Sequence, residues 1–198
     1  MRAFAMHKLL SGFGVALFFA ATPALASVFH FNGNLSYHNE VITIGFTLDQ
    51  DASDIRLWTD SFQDDLNFDP ALALWSGNGD LLGTSDDSPW VNPASQSWGD
   101  AGFELDWLAA GNYLLTLTPW DNLALGASLS EGFSFDADTP IDFSVWNAWS
   151  GANWSVWLDG VDAASLSGGN SAPVPEPGLL SLLGIGALIG YRSRRRLR

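Results

Sequence analysis

Apolar and polar residues alternate along most of the chain between residues 27 and 169, and no long 3.6-residue repeat competes with that pattern. In residues 41–48, for example, Ile42, Ile44 and Phe46 share one face of an extended chain, while smaller or polar residues take the other. Side chains alternate across a β-strand, whereas a helix brings every third or fourth residue to one face. The pattern therefore predicts an all-β domain.

The predicted strands follow one another about every dozen residues and are joined by turns and loops, without a helical crossover. The segments with this alternation are 41–48, 55–59, 71–75, a return strand from 81, 103–107, 113–118, 132–135, 141–146 and 154–158. The pair Asn78-Gly79 marks a tight hairpin, because glycine supplies the positive φ that such a turn requires. Evenly spaced strands favour antiparallel pairing in a two-sheet sandwich of the jelly-roll kind, and a closed barrel is the alternative.

The N-terminus has the organisation of a secretory signal peptide. A basic start precedes an apolar stretch at residues 9–21, and the small residues Ala24 and Ala26 then form a cleavage site. The mature chain is expected to begin at Ser27. This arrangement predicts export, with the secretion translocon and signal peptidase as partners.

The C-terminus combines a proline-rich spacer, a short apolar stretch and a basic end. Three prolines within residues 173–177 keep the spacer extended, because proline fixes φ and lacks a backbone donor. As a helix, residues 178–191 would rise only about 21 Å, against about 30 Å of bilayer hydrocarbon. Arginines follow at positions 192, 194, 195, 196 and 198. Because basic residues favour the cytoplasmic side, the segment before Pro173 is expected outside.

The tetrapeptide Val174-Pro175-Glu176-Pro177, the short apolar helix and the cluster Arg192, Arg194, Arg195 and Arg196 together resemble the PEP-CTERM sorting signal of Gram-negative bacteria. The resemblance implies recognition by an exosortase, an integral-membrane cysteine peptidase that processes its substrates near the Pro-Glu-Pro box. It further implies that the passenger reaches the cell surface or matrix, often in the company of exopolysaccharide and biofilm functions. An ordinary membrane anchor that nothing processes is the alternative.

These features divide the chain into four predicted segments. They are a signal peptide at 1–26, a β-sandwich passenger domain at 27–164, a Ser/Gly/Pro linker at 165–177 and a sorting helix with its arginine cluster at 178–198. We expect the protein to reside transiently in the inner membrane through its C-terminal helix, and then to reach the cell surface or the extracellular space.

The passenger is strongly acidic and lacks cysteine. Between residues 27 and 173 it carries 21 acidic residues and a single basic one, Arg56, which gives a net charge of about −20. This charge argues against nucleic acid and anionic lipid as partners. The absence of cysteine excludes thiolate zinc sites and cysteine nucleophiles, and it leaves the fold to depend on packing or a bound ion.

About half of the passenger, residues 41–118, resembles the bacterial pre-peptidase C-terminal (PPC) domain. The similarity lies in Asn67-Phe68-Asp69-Pro70, in the strands around Gly79, in Asp86-Asp87 and in residues 108–113. The resemblance implies a β-sandwich without catalysis, of a family in which some members bind calcium or polymeric substrates. It does not extend to the tryptophan-rich segment after Gly132.

Calcium is the cation that the acidic turns favour, because it takes several oxygen ligands from carboxylates and carbonyls. Asp69 and the pair Asp86-Asp87 flank one predicted hairpin, which can bring both to the same end of a sheet. Asp106 is a further candidate ligand. The alternative is that these residues only form Asx turns.

Ten tryptophans are many for this length, and four of them fall within residues 146–157. If the strand at 154–158 points Trp154 inward, Trp157 points outward, and an exposed indole can stack on a sugar ring. Trp149 and Trp157 are therefore candidate glycan-facing residues, and a secreted carbohydrate-binding module is the alternative function. Core packing is the ordinary role of tryptophan. No catalytic motif is recognisable, so the passenger is expected to be non-catalytic; an enzyme would need a cleft with two converging carboxylates.

Overall fold

The computed structural model describes residues 27–167, which form nine strands and very little helix. The strands are β1 (Ser27–Asn34), β2 (Ile42–Leu48), β3 (Ile55–Thr59), β4 (Pro70–Ser76), β5 (Leu81–Ser85), β6 (Gly102–Leu105), β7 (Gly111–Pro119), β8 (Asn153–Val161) and β9 (Ala163–Leu166). A 3₁₀ turn spans Leu129–Glu131, and the short helix α1 spans Phe143–Trp146. The all-β prediction is confirmed for these residues.

The strands form two antiparallel sheets, ordered β1-β8-β3-β6 and β5-β4-β7-β2-β9. The pairs β4–β5, β3–β6, β2–β7 and β1–β8 are nested inside one another along the chain. Folding one long antiparallel ribbon over itself in this way produces the jelly-roll arrangement of two sheets. Each sheet has two edge strands, so the described residues form a sandwich and not a closed barrel.

The core lies between the sheets and follows the alternation of the sequence. In β2, Ile44 and Phe46 are buried; in β8, Val156 and Leu158 are buried. These residues belong to one apolar cluster to which both sheets contribute. Burial of alternate side chains from two facing sheets is how a sandwich removes apolar surface from water.

Two predicted strands are absent. Within residues 132–135, Phe133 forms only an isolated bridge with Ala124 and residues 134–135 lie in a turn, and residues 141–146 contain α1. The carboxylate of Asp142 accepts a hydrogen bond from the backbone N–H of Ser144 at 3.0 Å and caps this helix. Alternating residues in a short segment do not exclude a helical turn, and here a local cap decides the conformation.

The sequence also misplaced the end of one strand, β6, and did not predict another, β9. β6 ends at Leu105, so Trp107, which the alternation placed inside, is 61% exposed. β9 pairs with β2 as far as Leu166, so the folded domain continues past the predicted boundary at residue 164 into the predicted linker. The signal peptide, the remainder of the linker and the sorting helix lie outside the described residues. Residues 27–167 include no helix of the length and apolarity that a bilayer crossing requires.

Candidate functional site

Three of the four predicted calcium ligands meet at one end of the sandwich. Asp69 immediately precedes β4, and Asp86 and Asp87 immediately follow β5. Because β4 and β5 are an antiparallel hairpin, the start of one and the end of the other are neighbours. One carboxylate oxygen from each aspartate lies within 4.8 Å of the others. Two oxygens on one calcium ion lie at most about 5 Å apart, so the spacing fits such an ion.

The electrostatics of the cluster are unfavourable for three bare carboxylates. Burial, together with the nearby charges of Asp86 and Asp87, raises the pKa of Asp69 to about 7. Burial and the neighbouring Asp87 also raise the pKa of Asp86. Asp69 Oδ1 is buried and accepts no hydrogen bond. A bound proton or cation would reduce the repulsion between the carboxylates and would give the unsatisfied oxygen a partner.

Asp106 is not part of this cluster. β6 begins near the cluster, where the backbone N–H of Gly102 donates to Ser85 Oγ at 2.9 Å. It then runs to Leu105, so Asp106 lies at the far end of the strand and is exposed. Asp106 therefore does not join the other three candidate ligands, because β6 carries it away from them. The sequence alone does not reveal the direction of that strand.

Asp100 is an acidic residue near the site that the sequence did not single out. It is fully buried, and its carboxylate accepts hydrogen bonds from Thr59 Oγ1 at 2.9 Å and from the backbone N–H groups of Phe62 and Ser97. Its charge adds to the rise in the pKa of Asp69. These hydrogen bonds hold the long loop before β6 against the end of β3. Nothing in the sequence near residue 100 distinguishes it from the other aspartates of that loop.

A pocket of about 300 Å³ adjoins the cluster and shares Asp69 with it. Its wall includes Trp120, Trp146 and Trp149, and polar side chains of Asn67 and Asn147 also face it. The pocket brings together three segments that are far apart in the chain: the entry to β4, the end of β7 and the loop after α1. Of its aromatic residues, only Trp149 had been singled out from the sequence.

Trp157 occupies a different surface. It lies on the outer face of the β1-β8-β3-β6 sheet, as the alternation predicted, and its ring stacks on His30 with centroids 3.8 Å apart. It is also parallel to Trp58 at 6.0 Å, and its Nε1 donates to Asp60 Oδ2 at 2.8 Å. Trp157 is thus half-buried among protein neighbours, whereas Trp149 is 95% exposed. The two residues do not form one aromatic strip, because only Trp149 lines the pocket.

The segment beyond the described domain carries the clearest functional signal of the chain. Residues 173–196 match the PEP-CTERM protein-sorting motif. A search of curated proteins found no match for the chain. The motif supports a protein that is exported, anchored at its C-terminus before cleavage and processed by an exosortase-type membrane protein. It covers the tail alone, so the role of the passenger has to be argued from the site.

Proposed function

We propose that the protein is a non-catalytic component of the cell surface or extracellular matrix, which an exosortase-type system sorts and processes. The single observation that carries the proposal is the PEP-CTERM match at residues 173–196. The described domain is consistent with a passenger of this kind: it is a compact sandwich with a packed core that needs no disulfide. A binding role in place of a catalytic one is part of this proposal and rests on the sequence resemblance of residues 41–118 to the PPC domain alone.

The proposed location is transient in the inner membrane and final at the surface or in the matrix. An acidic domain of net charge about −20 stays soluble and resists self-association, which suits an exported protein. Association with exopolysaccharide or a biofilm is part of the proposal.

The sorting proposal is tested by replacing Pro175-Glu176-Pro177 with three alanines in the native bacterium. Removing both prolines allows the helix to extend toward the linker and hides the processing region. We expect the variant to accumulate in the inner membrane, heavier than the mature wild-type protein by the mass of residues 174–198. Intact-mass spectrometry of fractionated cells measures both properties.

A matched control replaces three linker residues, Gly168, Gly169 and Asn170, with alanine, outside the matched motif. This control should be processed like the wild type. If the Pro-Glu-Pro variant keeps the wild-type mass and location, residues 179–190 are a plain anchor and the sorting proposal is wrong.

A second candidate function is calcium binding by Asp69, Asp86 and Asp87. The observations that favour it are the meeting of three carboxylate oxygens within 4.8 Å and the burial of Asp69 Oδ1 without a hydrogen-bond donor. Hard oxygen ligands suit calcium, and the ion, when bound, would neutralise the repulsion within the cluster and tie the start of β4 to the end of β5.

A further inference from the structure

Three tryptophans line the pocket beside Asp69, and side-chain packing within the domain fixes one of them. Trp146 packs against Phe143 and Phe135, with ring centroids 5.5 and 6.2 Å away. The backbone N–H of Trp120 donates to the carbonyl of Asp69 at 2.9 Å, which anchors its backbone beside the acidic cluster, while the residue is 53% exposed. The pocket therefore has one wall that is set by core packing and one exposed indole on an anchored backbone.

Trp149 has no such packing. It is 95% exposed, although the indole is the largest apolar side chain and is ordinarily at least partly buried. Its loop is nonetheless held in place: the backbone N–H of Gly151 donates to the carbonyl of Leu66 at 2.8 Å, and that of Phe68 donates to the carbonyl of Gly151 at 2.9 Å. A large exposed ring on an anchored loop beside a pocket is available to contact a ligand.

The three tryptophans line one pocket without packing on one another. Among the aromatic contacts of residues 27–167, none joins Trp120, Trp146 and Trp149 to one another. A volume of about 300 Å³ is at the small end of the range for ligand pockets, which suits one or two rings of a small molecule.

The polar groups of the pocket favour a ligand that donates hydrogen bonds. Asp65 and Asp69 line it with carboxylates, and the amides of Asn67 and Asn147 also line the space. No basic residue lines it, and Arg56, the sole basic residue in the described chain, forms an ion pair with Asp159 elsewhere. A polyanion would therefore meet carboxylates without a compensating charge.

We propose that this pocket binds a neutral pyranose unit of a glycan. The apolar face of a sugar ring stacks on an indole, while its hydroxyl groups donate to carboxylate and amide oxygens. Trp120 and Trp149 are the stacking residues in this proposal, and Asp69 and Asn147 receive the hydroxyl groups. The inference concerns the passenger alone, so it stands or falls separately from the sorting proposal.

The test uses the full-length chain, purified in a detergent that has no sugar head group and captured on a biosensor. The probes are neutral polysaccharides of different linkage, namely dextran, galactomannan, xyloglucan and mixed-linkage β-glucan, with polygalacturonate as the anionic comparison. We expect saturable binding of at least one neutral probe and none of polygalacturonate. Because each substitution removes a stacking contact, Trp149→Ala and Trp120→Ala should each weaken binding by about tenfold, which corresponds to about 1.4 kcal/mol.

The matched control is Trp107→Ala, which removes a tryptophan that is 61% exposed but lies outside the pocket. It should bind like the wild type. Trp149 has so little contact with the domain that its removal should leave the thermal midpoint unchanged, and this is checked in parallel. The proposal is overturned if no neutral probe binds, if polygalacturonate binds equally well, or if Trp107→Ala weakens binding as much as Trp149→Ala.

Discussion

Asp69 belongs both to the acidic cluster and to the lining of the pocket beside it. Its carboxylate lies beside two others, one of its oxygens is buried without a donor, and its backbone carbonyl holds Trp120. An unsatisfied buried oxygen destabilises a fold unless something binds it. Asp69 therefore links the acidic cluster to the pocket lined by Trp120, Trp146 and Trp149. The protonation state of Asp69 is the first property to measure.

Calcium should raise the thermal midpoint of a fragment comprising residues 27–171. An ion that binds only the folded state stabilises it by about 2.7 kcal/mol at a hundredfold excess over its dissociation constant. The shift should be lost in Asp69→Asn and Asp87→Asn and retained in Asp106→Asn, whose side chain lies outside the cluster. Differential scanning calorimetry measures it, with sodium at matched ionic strength as the control. Equal shifts with both salts would mean that charge screening alone is at work.

Without calcium, the same fragment should lose stability as the pH rises from about 4 to about 7. The pKa of Asp69 is about 7 in the folded state and about 3.9 in an unfolded chain, so the folded state binds more protons in this window. Because Asp69 remains partly solvated, we expect an effect on the order of 1 kcal/mol, or a few degrees in the midpoint.

Asp69→Asn tests the origin of this pH dependence. The variant should have a flatter profile between pH 5 and 7.5 and a higher midpoint at pH 7.5, whereas Asp106→Asn should keep the wild-type slope. An unchanged slope in Asp69→Asn would assign the effect to other carboxylates.

At the scale of the elements, β8 holds the first sheet together. It pairs with β1 on one side and with β3 on the other, and it places Trp154, Val156 and Leu158 in the core. Its outward residues contact neighbouring strands: Asp159 forms an ion pair with Arg56 of β3. A strand with partners on both edges and a buried face should contribute strongly to stability.

Leu158→Ala should therefore destabilise the fragment by about 2–5 kcal/mol, because Leu158 is fully buried and its removal leaves a cavity. Leu125→Ala is the matched control, since Leu125 is 61% exposed and should change the free energy of unfolding by less than about 0.5 kcal/mol. Urea denaturation measures both. Similar losses in the two variants would contradict the placement of β8 at the centre of the core.

At the scale of the whole molecule, an acidic folded domain lies between two ends that carry the other basic residues of the chain. The matched motif at residues 173–196 marks one end for export and processing. Near the other end, Ser27, the first residue after the predicted cleavage site, pairs with Val161 of β8. Removal of residues 1–26 would thus leave every described residue of β1 in the chain.

We expect signal peptidase to cleave after Ala26, so the exported protein should begin at Ser27. The physical reason is the order of basic start, apolar stretch and small residues at Ala24 and Ala26. N-terminal sequencing of protein recovered from the cell surface measures the site. Surface protein that still begins at Met1 would remove the case for a cleaved signal peptide.

Alternation and turn chemistry were enough to predict the fold class and most of the strands. Ile44, Phe46, Val156 and Leu158 point inward as their spacing indicated, and Gly79 has the positive φ of 86° that the hairpin required. These features are local, because the two faces of a strand and the dihedral angles of a turn depend on adjacent residues. The sorting motif is likewise a contiguous pattern, so it can be recognised from the sequence alone.

The site depended on tertiary structure. Asp69 and Asp86 lie close together because the β4–β5 hairpin reverses the chain. Asp106 lies apart from them because β6 extends away from the cluster. Trp120 and Trp149 line one pocket although they are separated in sequence by α1 and the loops around it. Such meetings are set by which strands pair and in which direction, and the free energy that selects the pairing comes from the whole core and not from any short segment.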